Sequence, residues 1–138
     1  MKVKDIMHSI TRISASTTIS KAAEIMDKKS IGSVLVEEYG NVIGIMTERD
    51  ILSKVVAQSR NADKLKVKSI MSSQIIMIDA NEDVLEASKV MEQKKVKSLI
   101  VTEKGEIIGK ITASGISNNL RYGLISGSLH DHNDYLIR

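Results

Sequence analysis

Gly40-Asn41-Val42-Ile43-Gly44-Ile45-Met46-Thr47 returns later in the chain as Gly105-Glu106-Ile107-Ile108-Gly109-Lys110-Ile111-Thr112. Each stretch has a turn glycine, then a β-rich run, then a threonine. At the same offset Ser33-Val34-Leu35-Val36 aligns with Ser98-Leu99-Ile100-Val101, and Ala22-Ala23-Glu24-Ile25-Met26 aligns with Ala87-Ser88-Lys89-Val90-Met91. At the front, Val3-Lys4-Asp5-Ile6-Met7 reappears as Val67-Lys68-Ser69-Ile70-Met71, one residue closer, so a residue enters soon after Met71. Two copies of one unit fill nearly the whole chain, and a repeat of this kind decides the architecture before any single element does.

Within each copy the local patterns follow one order. Ile19, Ala22, Ala23 and Met26 sit at helical spacing and predict an amphipathic helix over 16–29, with Ser16 or Thr17 available as a cap. Val84, Ala87, Ser88 and Met91 repeat it from Asn81. Val34 to Glu37 and Val42 to Met46, around Tyr39-Gly40-Asn41, predict a hairpin; Leu99 to Thr102 and Ile107 to Ile111 predict its partner. A second helix is expected from Thr47, with Ile51, Leu52, Val55 and Val56 on its buried side, and short strands at Ile10 to Ile13 and Ile75 to Ile78 precede the first helix of each copy. The unit reads β-α-β-β-α, an α/β (α+β) class. A unit of about sixty residues has a thin core alone, so two copies packed sheet to sheet with pseudo-two-fold symmetry are expected. The boundaries read as repeat one over 1–64, repeat two over 65–120 and a C-terminal extension over 121–138.

Composition narrows the function. Of 138 residues 42% are apolar and 27% charged, which suits a globular domain, and the absence of Phe and Trp leaves an aliphatic core. With three Tyr and a net charge of +3 spread among acidic residues, neither a base-stacking platform nor a phosphate-tracking stripe is evident, so nucleic acid is not the expected partner. No cysteine is present, which excludes disulfides and thiolate metal sites. No run is long enough to span a membrane, and no signal-peptide core follows Met1, so a soluble cytoplasmic protein is expected. The Ile-, Lys- and Glu-rich composition is of the kind met in thermophilic proteins.

The order strand, Ala-containing helix, hairpin and Gly44-Ile45-Met46-Thr47-Glu48-Arg49-Asp50 resembles the CBS domain, as do the openings Asp5-Ile6-Met7 and Ser69-Ile70-Met71. The resemblance covers about residues 1 to 120, and its doubling in register makes it specific. It implies a Bateman module: a non-catalytic pair, homodimeric, that binds AMP, ADP, ATP or S-adenosylmethionine and needs no cofactor. Carried over residue by residue, it implies a site A of Met46, Thr47, Arg49 and Asp50 with Ile76, Met77, Val96, Lys97 and Ser98. It likewise implies a site B of Thr112 with Ile10, Ile13, Ile31, Gly32 and Ser33. The chemistry suits that role. Asp50 can accept from two ribose hydroxyls, Thr47 can hold ribose or phosphate, Arg49 can pair with phosphate, and unpartnered N–H groups at a helix start attract anions. The second copy departs from the pattern, with Gly115 where the first has Asp50 and Ser114 where it has Arg49. Losing hydrogen bonds to a charged group costs roughly 1.5–3 kcal/mol, so site B is expected to be weak or empty.

Plainer readings stand beside these. Thr47 and Asp50 form a capping box whether or not a ligand comes. Arg49 is equally a surface arginine beside Glu48. Met7, Met26, Met71 and Met91 fill core, and Gly40 and Gly105 serve turns. His130-Asp131-His132-Asn133-Asp134 has zinc- or nickel-ligand residue types but sits in a polar tail with no scaffold to fix geometry. The segment from Ser117 onward is either a helix extension or a strap across a dimer. No nucleophile–base pair, metal-ligand set or phosphate loop is present, and His8 stands alone, so no enzyme is expected. A sensor of an adenine nucleotide acting on an unidentified partner protein is the first reading. A ligand-free structural or dimerisation module is the alternative, and a nucleic-acid accessory protein a minor third.

Overall fold

The tight turns between paired strands set the fold locally. In the computed structural model, which describes residues 1–127 and their side chains through Leu120, the turn residues Tyr39 and Gly40 have φ of 53° and 79°, and Lys104 and Gly105 have 51° and 81°. Two successive positive φ values match the strand twist and close a tight hairpin. Strand β1 (Arg12–Ser14) runs parallel to β2 (Ser33–Glu38), which pairs antiparallel with β3 (Asn41–Thr47). Helix α2 (Ile19–Lys29) makes the crossover that a parallel pair requires. The second copy repeats the order β4-β5-β6 with Met77–Asp79, Ser98–Glu103 and Glu106–Thr112, and α4 (Val84–Lys94) as its crossover. Even the bulge recurs, between Val36 and Glu37 in one sheet and between Val101 and Thr102 in the other.

The compact units do not follow the sequence repeat at its ends. One unit is Ile10–Ile75; the other joins Met1–Ser9 to the chain from Ile76 onward. The opening segment of each copy therefore packs on the sheet of the other copy's sequence. Helix α1 (Val3–Ile6) brings Val3 and Ile6 into a core with Ile78, Val84, Leu99, Val101 and Ile111. The 3₁₀ turn Val67–Ser69 brings Val67 and Ile70 into a core with Ile19, Met26, Val34, Val36 and Met46. In each unit a short strap then adds an edge pairing to the last strand of the sheet. Ser72 N–H donates to Ile45 O (2.8 Å) and Ile45 N–H to Ser72 O (2.9 Å), while His8 and Lys110 exchange the same two bonds at 2.8 Å.

The structure corrects several boundaries. Helix α2 begins at Ile19 with Thr18 as its cap, because Thr17 N–H turns back to Ser14 O first. Helix α4 begins at Val84 with Asp83 as cap rather than from Asn81. Strands β1 and β4 start later than expected, where they first meet β2 and β5. After Thr47 comes one α-turn, α3 (Glu48–Ile51), then a π-helical turn over Leu52–Val56. Of the four apolar residues expected on its buried side, Val55 is buried and Ile51 packs on the core, but Leu52 and Val56 are 54% and 64% exposed. Residues 51 and 55 share one helix face, and 52 and 56 stand about 100° round from it. The last helix, α5 (Ala113–Gly127), carries the chain into the expected C-terminal extension as a helix. No helix among the described residues is long and apolar enough to cross a membrane.

Candidate functional site

Strand β3 ends where Thr47 takes extended backbone angles and α3 begins, and that junction is closed by a reciprocal capping box. Asp50 N–H donates to Thr47 Oγ1 (3.2 Å), and Asp50 Oδ2 accepts from Thr47 N–H (2.9 Å) and from the Thr47 hydroxyl (3.2 Å). The other carboxylate oxygen, Oδ1, lies 3.1 Å from Lys54 Nζ, one helical turn on, and the Asp50 side chain is only 15% exposed. Glu48 N–H donates to Gly32 O at 3.0 Å. Two of the first helical N–H groups, expected to be open to an anion, thus have protein partners. What remains at the junction is a carboxylate fixed in direction, with the exposed Arg49 beside it making no ion pair among the described residues.

The expected site residues fall into the two units as follows. The Ile10–Ile75 unit holds Met46, Thr47, Arg49 and Asp50 together with Ile10, Ile13, Ile31, Gly32 and Ser33. Ser33 stands opposite Thr47 in the β2–β3 register. Met46 and Ile13 send their side chains into that unit's core and pair with Val34 and Val36 of β2, and Ile31 packs on the same core. The other unit holds Ile76, Met77, Val96, Lys97, Ser98 and Thr112, with Ser98 opposite Thr112. There Met77 is 52% exposed, Ile76 and Val96 pack partly on the core, and the Lys97 carbonyl accepts from Ala113 N–H at 2.9 Å, matching Gly32 and Glu48.

The second junction is built differently. Thr112 Oγ1 accepts from Gly115 N–H at 3.0 Å, so half the capping box survives without a carboxylate. A Cβ added at Gly115 would lie 3.3 Å from His8 Nε2. His8, isolated in sequence, thus stands against the position whose counterpart is Asp50. Composition and spacing could not show this, because the contact joins residues 107 apart in number. Lys54 is the other partner that the motif does not include, although a carboxylate and a lysine four apart on a helix are a signal for such a pair. No cluster of three metal-ligating side chains occurs among the described residues, and the His130–Asp134 stretch lies outside them.

A doubled β-α-β-β unit, with a Thr-x-x-Asp junction after the hairpin of its first copy, defines a class of tandem module. The family comparison names that class: the CBS-domain model matches residues 3–57 and 67–122, and the chain belongs to the CBS-domain family. It is a CBS-domain pair, a regulatory or sensor kind of module. It is 39% identical over 105 residues to the uncharacterized protein MK0525 of Methanopyrus kandleri, covering 75% of this chain and 54% of that one, so it spans about half of that relative. It is 28% identical to the CBS domain-containing protein YhcV of Bacillus subtilis, covering 91% of this chain and 90% of that one. An uncharacterized conserved protein from Pyrococcus horikoshii has a similar solved structure, with a TM-score of 0.81 and 26% identity over 87% of this chain and 92% of that one.

Proposed function

We propose that this chain senses an adenine nucleotide, AMP, ADP, ATP or S-adenosylmethionine, with Asp50 as the ribose acceptor, and passes its occupancy to a partner protein. The observation that carries this reading is the Asp50 carboxylate itself, which is fixed by Thr47, little exposed and next in the helix to the exposed Arg49. Asp50 receives ribose hydroxyls, Thr47 supports them, and Arg49 meets phosphate. Gly115 and Ser114 leave the second junction without these groups, so one site per chain does the binding. Self-association into a homodimer fits the exposed Leu52 and Val56, neighbours on one helix face.

One observation favours the alternative of a ligand-free interaction module: three hydrogen bonds and one ion pair already account for Asp50 as a structural residue. Thermal-shift titration separates the two. A ligand at about a hundred times its dissociation constant adds roughly 2.7 kcal/mol to the folded state. The sensor reading expects a saturable rise in Tm with an adenine nucleotide and none with guanosine nucleotides. Flat curves with all four ligands at millimolar concentration would leave the interaction module.

A further inference from the structure

The same ammonium that pairs with Asp50 is shared with a second acceptor. Lys54 Nζ lies 3.1 Å from Asp50 Oδ1 and donates to the carbonyl of Ile70 at 2.9 Å. Ile70 is buried, and its carbonyl marks the start of the strap that runs through Met71 to Ser72, pairs with Ile45 on β3, and leaves the unit at Ile75. Lys54 therefore connects the one junction carboxylate to the segment by which the chain exits this unit. It sits in the π-helical turn Leu52–Val56, where Ala57 N–H reaches back five residues to Leu52 O. Irregular turns of this kind recur at functional sites.

A count of acceptor directions turns the connection into a device. A carboxylate offers about two per oxygen. Oδ2 already accepts twice from Thr47, and Oδ1 faces the Lys54 ammonium at 3.1 Å as its ion-pair partner. A vicinal diol that brings two hydroxyl donors to Asp50 must take Oδ1, and so competes with the ammonium. An ion pair whose lysine is 42% exposed is weakly held against such competition. The second junction provides the contrast. Asn119 stands at the position matching Lys54, and its amide donates to Gly115 O of its own helix at 2.7 Å rather than to a strap. The carboxylate and the lysine are lost together.

We propose that Lys54 is a positioning residue that couples the occupancy of Asp50 to the strap over residues 70–72: a diol on Asp50 releases the ammonium, and the Ile70 carbonyl loses its donor. This rests on the reading of Asp50 as a ribose acceptor, but half of its test needs no ligand. Amide exchange is read residue by residue in the full chain for wild type, Lys54→Met, Asp50→Asn and the double variant. Asn keeps an acceptor for the Thr47 N–H, so the fold is retained, and unchanged exchange in β2 verifies it. In the ligand-free proteins each single variant speeds exchange at Met71 and Ser72 about threefold to tenfold, the effect of one lost hydrogen bond. The double variant adds nothing further, because the residues act as one chain. Wild-type exchange at these amides in both single variants, or effects that add, would overturn the coupling. In the second half, AMP speeds Ser72 exchange in wild type and leaves Lys54→Met unchanged, while 2′,3′-dideoxy-AMP leaves both proteins unchanged. AMP that binds wild type without moving Ser72 also overturns the coupling. If AMP does not bind at all, ribose acceptance by Asp50 falls for that nucleotide, and the ligand-free cycle still decides whether Lys54 links Asp50 to the strap.

Discussion

A Cβ added at Gly44 would lie 2.7 Å from the Ser72 carbonyl oxygen and 2.5 Å from the Met71 sulfur, whereas one added at Gly40 would meet nothing within 4 Å. Both glycines recur in the second copy, Gly109 meeting His8 O at 2.5 Å and Gly105 meeting nothing, so the difference is built into the unit. Gly40 is needed for its φ of 79°, and Gly44 because a strap crosses its face. Gly44→Ala should therefore cost about 1–3 kcal/mol as the strap is forced off β3. Gly40→Ala should cost roughly 1 kcal/mol from its backbone angle alone. Urea midpoints compare them, and a Gly44→Ala as mild as Gly40→Ala would mean that the strap is not held there. The turn glycines were legible in the sequence because their signal is local. The role of Gly44 was not, since its neighbours arrive from residues 71 and 72. For the same reason the capping of Asp50 by Thr47 could be read three residues away, while the His8 ring beside Gly115 could not.

At the scale of elements, the repeat told most of the story: both hairpins, both crossover helices and their order follow from spacing alone. What spacing could not tell is which sheet each opening segment joins. Val3 and Val67 look like the first residues of their own copies, yet Val3 is buried with the β4–β6 sheet and Val67 with β1–β3, both at 0% exposure. A sequence repeat identifies equivalent residues; it does not say whether an equivalent contact is made within a copy or across copies. The exchange has a direct consequence. Val3→Ala should speed amide exchange mainly in β4, β5 and β6, and Val67→Ala mainly in β1, β2 and β3, each losing about 1–3 kcal/mol of local protection. Exchange that rises in the sheet of the same sequence copy would contradict the assignment. The 3₁₀ turn Val67–Ser69 that precedes the strap carries an ion pair, in which the hydrogen-bonded Glu38 carboxylate holds the Lys68 ammonium above its ordinary pKa of 10.5. A raised folded-state value stabilises below the unfolded one, so this pair's contribution is present at neutral pH and lost as pH climbs past that range. Both partners are partly solvated, and the effect is small and screened by salt.

For the whole molecule, membership of the CBS-domain family is shown by the match over residues 3–57 and 67–122, and the particular ligand and partner are proposals. Self-association through the Leu52 and Val56 face predicts that Leu52→Asp combined with Val56→Asp gives a monomer by light scattering at a concentration where wild type is larger. A wild-type mass in the double variant would move the interface elsewhere. The central claim is nucleotide sensing through a single carboxylate, and calorimetric titration of wild type and Asp50→Asn with AMP, ADP, ATP and S-adenosylmethionine tests it most directly. The account predicts one site per chain in wild type for an adenine ligand, and binding at least about tenfold weaker in Asp50→Asn from the loss of a charged acceptor. No heat with any of the four, or equal binding by the variant, would contradict it.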